Sequence, residues 1–163
     1  MTLPKNARIN TYGSYAYDGR WCVLYVGTNG GYTDVNELIR QQKEILEACG
    51  CEENFIIIST SSGDAAGRKS LETALKNKWG DHYFSAREWL SSEEAYRTAG
   101  FSDSVIEKYA GDIQTGTVSE ILRVDGVHYN SVGYALLGNR IFRQMFELGY
   151  FDVIFDYYDA LGE

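Results

Sequence analysis

The apolar residues of this chain fall into short solid runs and longer spaced ones, and the two kinds alternate. Trp21-Cys-Val-Leu-Tyr-Val26 is almost wholly apolar and stops at Gly27, the pattern of a strand covered on both faces. From Val35 the spacing changes. Val35, Leu38, Ile39, Ile45, Leu46 and Cys49 follow helical intervals, with Thr33 or Asp34 ahead of them as a cap and Gly50 behind as a stop. Asn54-Phe-Ile-Ile-Ile-Ser59 predicts a second buried strand. A polar loop, "TSSGDAAGR", follows, and Leu71, Ala74, Leu75 and Trp79 then mark an amphipathic helix that ends at Gly80. His82-Tyr-Phe-Ser85 predicts a brief third strand, and residues 87–118 a mixture of short helices and loops. From Ser131 to Leu148 a long helix carries Val132, Leu136, Leu137, Ile141, Met145 and Leu148 on one face.

Strands alternating with helices imply right-handed crossovers and a parallel sheet, an α/β fold. The 163 residues suit one domain, and no internal repeat or low-complexity segment interrupts them. In such sheets the working residues gather where the strands end. Gly27-Thr28-Asn29-Gly30 and Thr60-Ser61-Ser62-Gly63 stand at two such ends. The loop before the last long helix, "VDGVHYNSVGY", is expected to fold over the same edge and to bring Asp125 and His128 with it.

Composition narrows the function classes. The net charge is −8 and no basic stripe is present, which argues against a nucleic-acid surface. No segment approaches the ~20 apolar residues of a membrane helix. The first 20 residues contain nothing like the apolar core of a signal peptide, so cytoplasmic residence is the default expectation. Of three cysteines, Cys22 sits in an apolar run and reads as a buried small hydrophobe. Cys49 and Cys51 lack a second ligand pair or a neighbouring histidine, so they read as reduced structural thiols, with no metal and no cofactor expected. Thirteen tyrosines offer surfaces on which sugars stack, although spread as they are they fit packing equally well.

Asp125 and His128 are the residues most suited to chemistry. A carboxylate beside an imidazole accepts its Nδ1–H, fixes the tautomer and leaves Nε2 free to take a proton from a hydroxyl. The same Asp-Gly pair also makes an ordinary turn. At the end of the first strand, Gly27 allows a sharp turn, and the Asn29 amide would be presented over the strand end as a donor to a developing oxyanion. A plain strand-to-helix turn uses Asn-Gly as well.

Gly27-Thr28-Asn29 after an apolar strand resembles the third sequence block, Gly-x-Asn-Asp, of the SGNH (GDSL-type) hydrolases. Asp125-Gly126-Val127-His128, with Tyr129-Asn130 and then Gly133-Tyr134, resembles their fifth block, in the same order and at a similar separation. The resemblance covers about Trp21 to Asp152. It implies a three-layer α/β/α sandwich of flavodoxin-like type whose serine attacks an acyl ester, often on a carbohydrate or lipid. On that basis His128 would be the general base, Asp125 would orient it, Asn29 would donate to the oxyanion and Gly27 would permit the turn.

The resemblance is incomplete. No Gly-Asp-Ser, the family's first block, occurs: Gly63-Asp64, Gly80-Asp81 and Gly111-Asp112 are followed by Ala65, His82 and Ile113. The glycine of the second block has no counterpart, and Gly30 stands where the family has aspartate. Ser14, Ser61 and Ser62 are the serines in reach of the pattern, the last two as a substrate loop, and the nucleophile stays unassigned. The chain is thus expected to begin just before the family's third strand, as a C-terminal portion of a hydrolase with its first strands missing. Alternatives are a binding module for glycans or a protein partner that has lost its nucleophile, and a flavodoxin-like domain of another function. Three regions follow: 1–20, where Ile9 to Tyr17 could supply a replacement strand, 21–152, the α/β domain, and 153–163, a C-terminal extension. If nothing in the chain covers the bare edge of the Trp21–Val26 strand, a homodimer through that edge is expected.

Overall fold

A computed structural model describes residues 21–59 and 63–161. The proposed replacement strand, Ser14, Ser61 and Ser62 lie outside the described residues. Three parallel strands, β1 (Cys22–Leu24), β2 (Phe55–Ile58) and β3 (Tyr83–Phe84), form a sheet in the order β1-β2-β3. Val23 lies opposite Ile56, and Ile57 opposite Tyr83. The strands are shorter than their apolar runs because only the central residues of each run pair in the ladder.

Alternation along β2 builds two cores. Phe55 and Ile57 pack with Leu24 of β1, with Leu38 and Leu46 of α1 (Val35–Cys49) and with Leu75 and Trp79 of α2 (Ala65–Trp79). Ile56 and Ile58 point the other way, among Leu90, Tyr96, Leu122, Leu136 and Leu137. That second layer comprises α3 (Ala86–Leu90), α4 (Glu93–Thr98), α5 (Asp103–Lys108), α6 (Ala110–Thr115) and the long α7 (Ser131–Glu147). Helices therefore cover both faces of a parallel sheet, and the α/β expectation holds. A last helix, α8 (Asp152–Leu161), packs Phe155 on Phe146 of α7, with ring centroids 5.8 Å apart.

The caps fix where the helices begin. Asp34 accepts hydrogen bonds from Asn36 and Glu37 at 2.8 and 3.0 Å, and Glu37 reaches back to the Thr33 N–H at 2.9 Å. Gly50 ends α1 with φ +61°. α2 starts six residues earlier than its apolar spacing predicts, because Asp64 caps it through the Gly67 N–H at 2.7 Å. Its first turn is exposed and carries no apolar stripe to read. Cys22 is partly buried rather than fully so, and its burial pushes the thiol up to about 11.

Two polar contacts set the orientation of α7. Near its end, Gln144 donates to the carbonyls of Asp81 and Tyr83 at 2.5 and 3.1 Å, at the N-terminal end of β3. Just beyond it, the Tyr150 hydroxyl accepts from the Phe55 N–H and donates to the Phe55 carbonyl, at the start of β2. α7 thus runs antiparallel to the strands, and its first turn lies over their C-terminal ends. His82, stacked on Phe55 and bonded to Tyr150, belongs to the opposite end and is structural.

A buried ion pair ties the two layers together at the strands' C-terminal end. Arg87 grips Glu72 with two hydrogen bonds, of 2.8 and 2.6 Å, and its third nitrogen reaches the Gly116 carbonyl at 2.7 Å. Both side chains are almost sealed from water, 5% and 12% exposed. Removing one partner strands a buried charge, a change that costs about 3–5 kcal/mol. Arg87→Ala should lower the unfolding free energy by that amount in urea titrations, whereas Arg40→Ala, which breaks an exposed pair with Glu44, should cost under about 1 kcal/mol.

Candidate functional site

The segment between Leu122 and α7 is a short closed loop. Arg123 and Tyr129 form an antiparallel bridge, and the Val124 N–H donates to the His128 carbonyl at 3.0 Å. The Asp125 carboxylate fills the loop: one oxygen accepts from the Val127 and His128 N–H groups at 2.8 and 2.7 Å, and the other meets His128 Nδ1 at 2.8 Å. The Arg123 guanidinium closes the far side by donating to the Gly126 carbonyl at 3.0 Å.

These bonds determine the protonation pattern. The His128 backbone N–H, its imidazole and the Val127 N–H together hold the Asp125 carboxyl well below the usual carboxylate range. An ionised carboxylate only accepts, so Nδ1 of His128 carries the hydrogen and Nε2 of the neutral ring presents a lone pair. Two thirds of the His128 side chain is exposed, which leaves that lone pair accessible to a substrate.

The loop is held to α7 by Asn130 and Gly133. Asn130 caps the helix through the Val132 and Gly133 N–H groups, at 3.1 and 3.0 Å, and donates its side-chain amide to the Ile121 carbonyl at 2.7 Å. Its backbone N–H donates to the Leu122 carbonyl at 2.9 Å. A Cβ on Gly133 would lie 2.6 Å from that carbonyl oxygen and 3.0 Å from Cβ of Tyr129. Only a glycine lets the helix approach so closely. Tyr129, buried in the core beneath, anchors the loop.

At the end of β1, Gly27 adopts φ +106°, which disfavours any side chain, and a Cβ there would press on Leu38 at 3.2 Å. The Gly30 N–H bonds back to the Gly27 carbonyl at 3.3 Å, closing a turn that leaves Asn29 exposed. Since α7 begins over the C-terminal ends of the strands, His128 and Asn29 stand at the same end of the sheet. Asp125 and His128 are in direct contact. Among the described residues, no serine hydroxyl or cysteine thiol is hydrogen-bonded to His128.

Arg123, Asn130 and Gly133 were not singled out as site residues from the sequence. Asn130 was legible as a helix cap, since it precedes the apolar spacing of α7. The roles of Arg123 and Gly133 depend on contacts with a carbonyl that no spacing reveals. A groove of about 590 Å³ lies elsewhere, beside β3 and the second half of α7, lined by Lys76, Asp81, Trp89 and Arg140 among others. None of the candidate residues reaches it. Comparison of the chain with protein-family models, with curated proteins and with solved structures returns no match.

Two outcomes test this geometry. Gly133→Ala should destabilise the fold by about 1–3 kcal/mol, the usual cost of overpacking, despite the better helix propensity of alanine; a urea titration measures it. Because the Asp125 pKa is lowered on folding, the stability it contributes is present above the unfolded value of about 3.9 and disappears only as pH falls through the lower native one. Nitrogen NMR of the His128 ring should therefore show the Nδ1–H tautomer in the neutral protein and a switch to Nε2–H in Asp125→Asn.

Proposed function

We propose that the chain is an ester hydrolase of SGNH type, or the C-terminal portion of one, acting on acyl esters such as acetylated carbohydrates. The observation that carries the proposal is the Asp125–His128 pair. The ring and the carboxylate meet at 2.8 Å, two backbone N–H groups hold the carboxylate's other oxygen, and Asn29 is exposed at the loop after β1. In this mechanism His128 Nε2 takes the proton of an attacking hydroxyl, and Asp125 holds the ring and stabilises the imidazolium. Asn29 donates to the oxygen that becomes negative as the tetrahedral intermediate forms. The bond to the alcohol then breaks as the imidazolium returns its proton to the leaving oxygen, and a water deprotonated by His128 Nε2 cleaves the acyl group from the attacking oxygen, releasing the acid and restoring the hydroxyl. The attacking hydroxyl belongs to none of the described residues. Ser14, Ser61 and Ser62 lie outside them, as would any serine on a preceding part of a longer protein.

A second reading, a binding module for glycans or a protein partner, is favoured by the openness of the pair, in which both side chains are more than half exposed.

Short acyl esters separate the two. In the hydrolase, His128→Ala should lower the enzymatic rate by about 10²–10⁴-fold. Asn29→Ala should lower it by about 10²–10³-fold. Wild-type and His128→Ala chains that both give only the uncatalysed rate would end the enzymatic reading for this chain alone.

A further inference from the structure

The two edges of the sheet are finished differently. At β3 the outward carbonyl of Tyr83 is taken up by Gln144 of α7. At β1 nothing comparable stands among the described residues. The Cys22 N–H donates to the Asn54 carbonyl at 2.9 Å, so Cys22 and Leu24 turn their backbone groups to β2. In a parallel ladder Val23 then turns its N–H and C=O the other way. The strand, Cys-Val-Leu, has neither the lysine nor the proline that commonly protects an edge.

An apolar strip continues from this edge. Trp21 meets Phe151 edge-on with ring centroids at 5.0 Å, Phe151 meets Phe142 at 5.3 Å, and Phe146 meets Phe155 at 5.8 Å. These contacts leave much of the strip in water: Trp21 is 42% exposed, Val23 45%, Phe142 57%, Phe146 54% and Phe155 48%. Contiguous apolar surface of this kind marks an interaction site.

We propose that a second copy of this chain covers it, with the two β1 strands antiparallel about a two-fold axis at Val23. Val23 is the one β1 residue whose backbone donor and acceptor both face outward. Two copies satisfy each other's through a reciprocal pair of hydrogen bonds, and no other sequence is needed. With aromatic side chains of about 150–250 Å² each, the exposed fractions of the four rings, together with Val23, leave roughly 350–550 Å² of apolar surface per copy. A two-fold contact that covers the whole strip then buries about 700–1,100 Å² in total, the size of a small interface whose upper end reaches the ~1,000 Å² of a specific one. The exposed acids of α8, Asp152, Asp156 and Asp159, flank the strip in both copies and repel across it. Association is therefore expected to be modest at low ionic strength and tighter with added salt, which screens that repulsion.

Sedimentation velocity of the full chain across the micromolar range tests this independently of any esterase assay. The expected species has twice the 18.4 kDa chain mass and gains population with salt. Val23→Lys and Phe146→Glu should each weaken it by about tenfold or more, with thermal melts confirming that the variants fold. Ile45→Glu, on the exposed side of α1, should leave it unchanged. A single-chain mass at every concentration would overturn the proposal and leave the edge to another segment or a different partner. A dimer indifferent to both substitutions would overturn it too.

Discussion

The carbonyl of Leu122 is the point on which the geometry of the candidate site depends. It accepts the Asn130 N–H, and it occupies the space that a side chain at position 133 would need. These two facts set how far the first turn of α7 sits from the preceding turn, and so how the five residues from Val124 to His128 must close. Tyr129 sinks into the core below while Asp125 and His128 stay in water above. The loop cannot shift without either losing the Asn130 cap or forcing backbone against backbone. Its rigidity comes from backbone approach, not from burial of the pair itself.

The far end of α7 completes the constraint. Gln144 and Tyr150 hold that end to the starts of β3 and β2. A helix fixed at both ends against a parallel sheet has its direction decided, and the loop ahead of it must then lie over the C-terminal ends of the strands. At the same end Arg87, bonded to the Gly116 carbonyl within this layer, reaches across to Glu72 of the other. Few polar contacts are involved, but each sits where one element changes into the next, and so fixes a relative orientation that apolar packing alone leaves freer.

Much of this was legible in the sequence because the cores are built from simple periods. The solid apolar runs gave all three strands, and the spacing of Leu38 and Leu46, Leu75 and Trp79, and Leu136 and Leu137 gave the long helices. The start of α2 was missed because Ala65 to Arg68 carry no buried face, and only the Asp64 cap declares them. The pairing of Asp125 with His128 was legible because a spacing of three within one tight loop brings both side chains to the same place. The service of Gly133 to the Leu122 carbonyl, eleven positions away, was not, since contacts across a turn leave no trace in spacing. Which hydroxyl could face His128 was equally beyond reach, because the Gly-Asp-Ser that would have identified it is absent.

The exposure of the Asp125–His128 pair bears on how it could work. An ion pair or an oxyanion donor in open water is worth little, because the surrounding dielectric weakens every charge interaction that catalysis would use. The local hydrogen bonds already supply orientation and tautomer, so what the pair lacks is exclusion of water. A substrate, or a further protein segment lying across the C-terminal end of the sheet, would supply it by covering His128 and Asn29 together. In the proposed hydrolase, pre-formed geometry without enclosure would thus be only half of an active site. That half depends on the Leu122 carbonyl, and the other half that such a hydrolase requires is a surface that both seals and carries a hydroxyl.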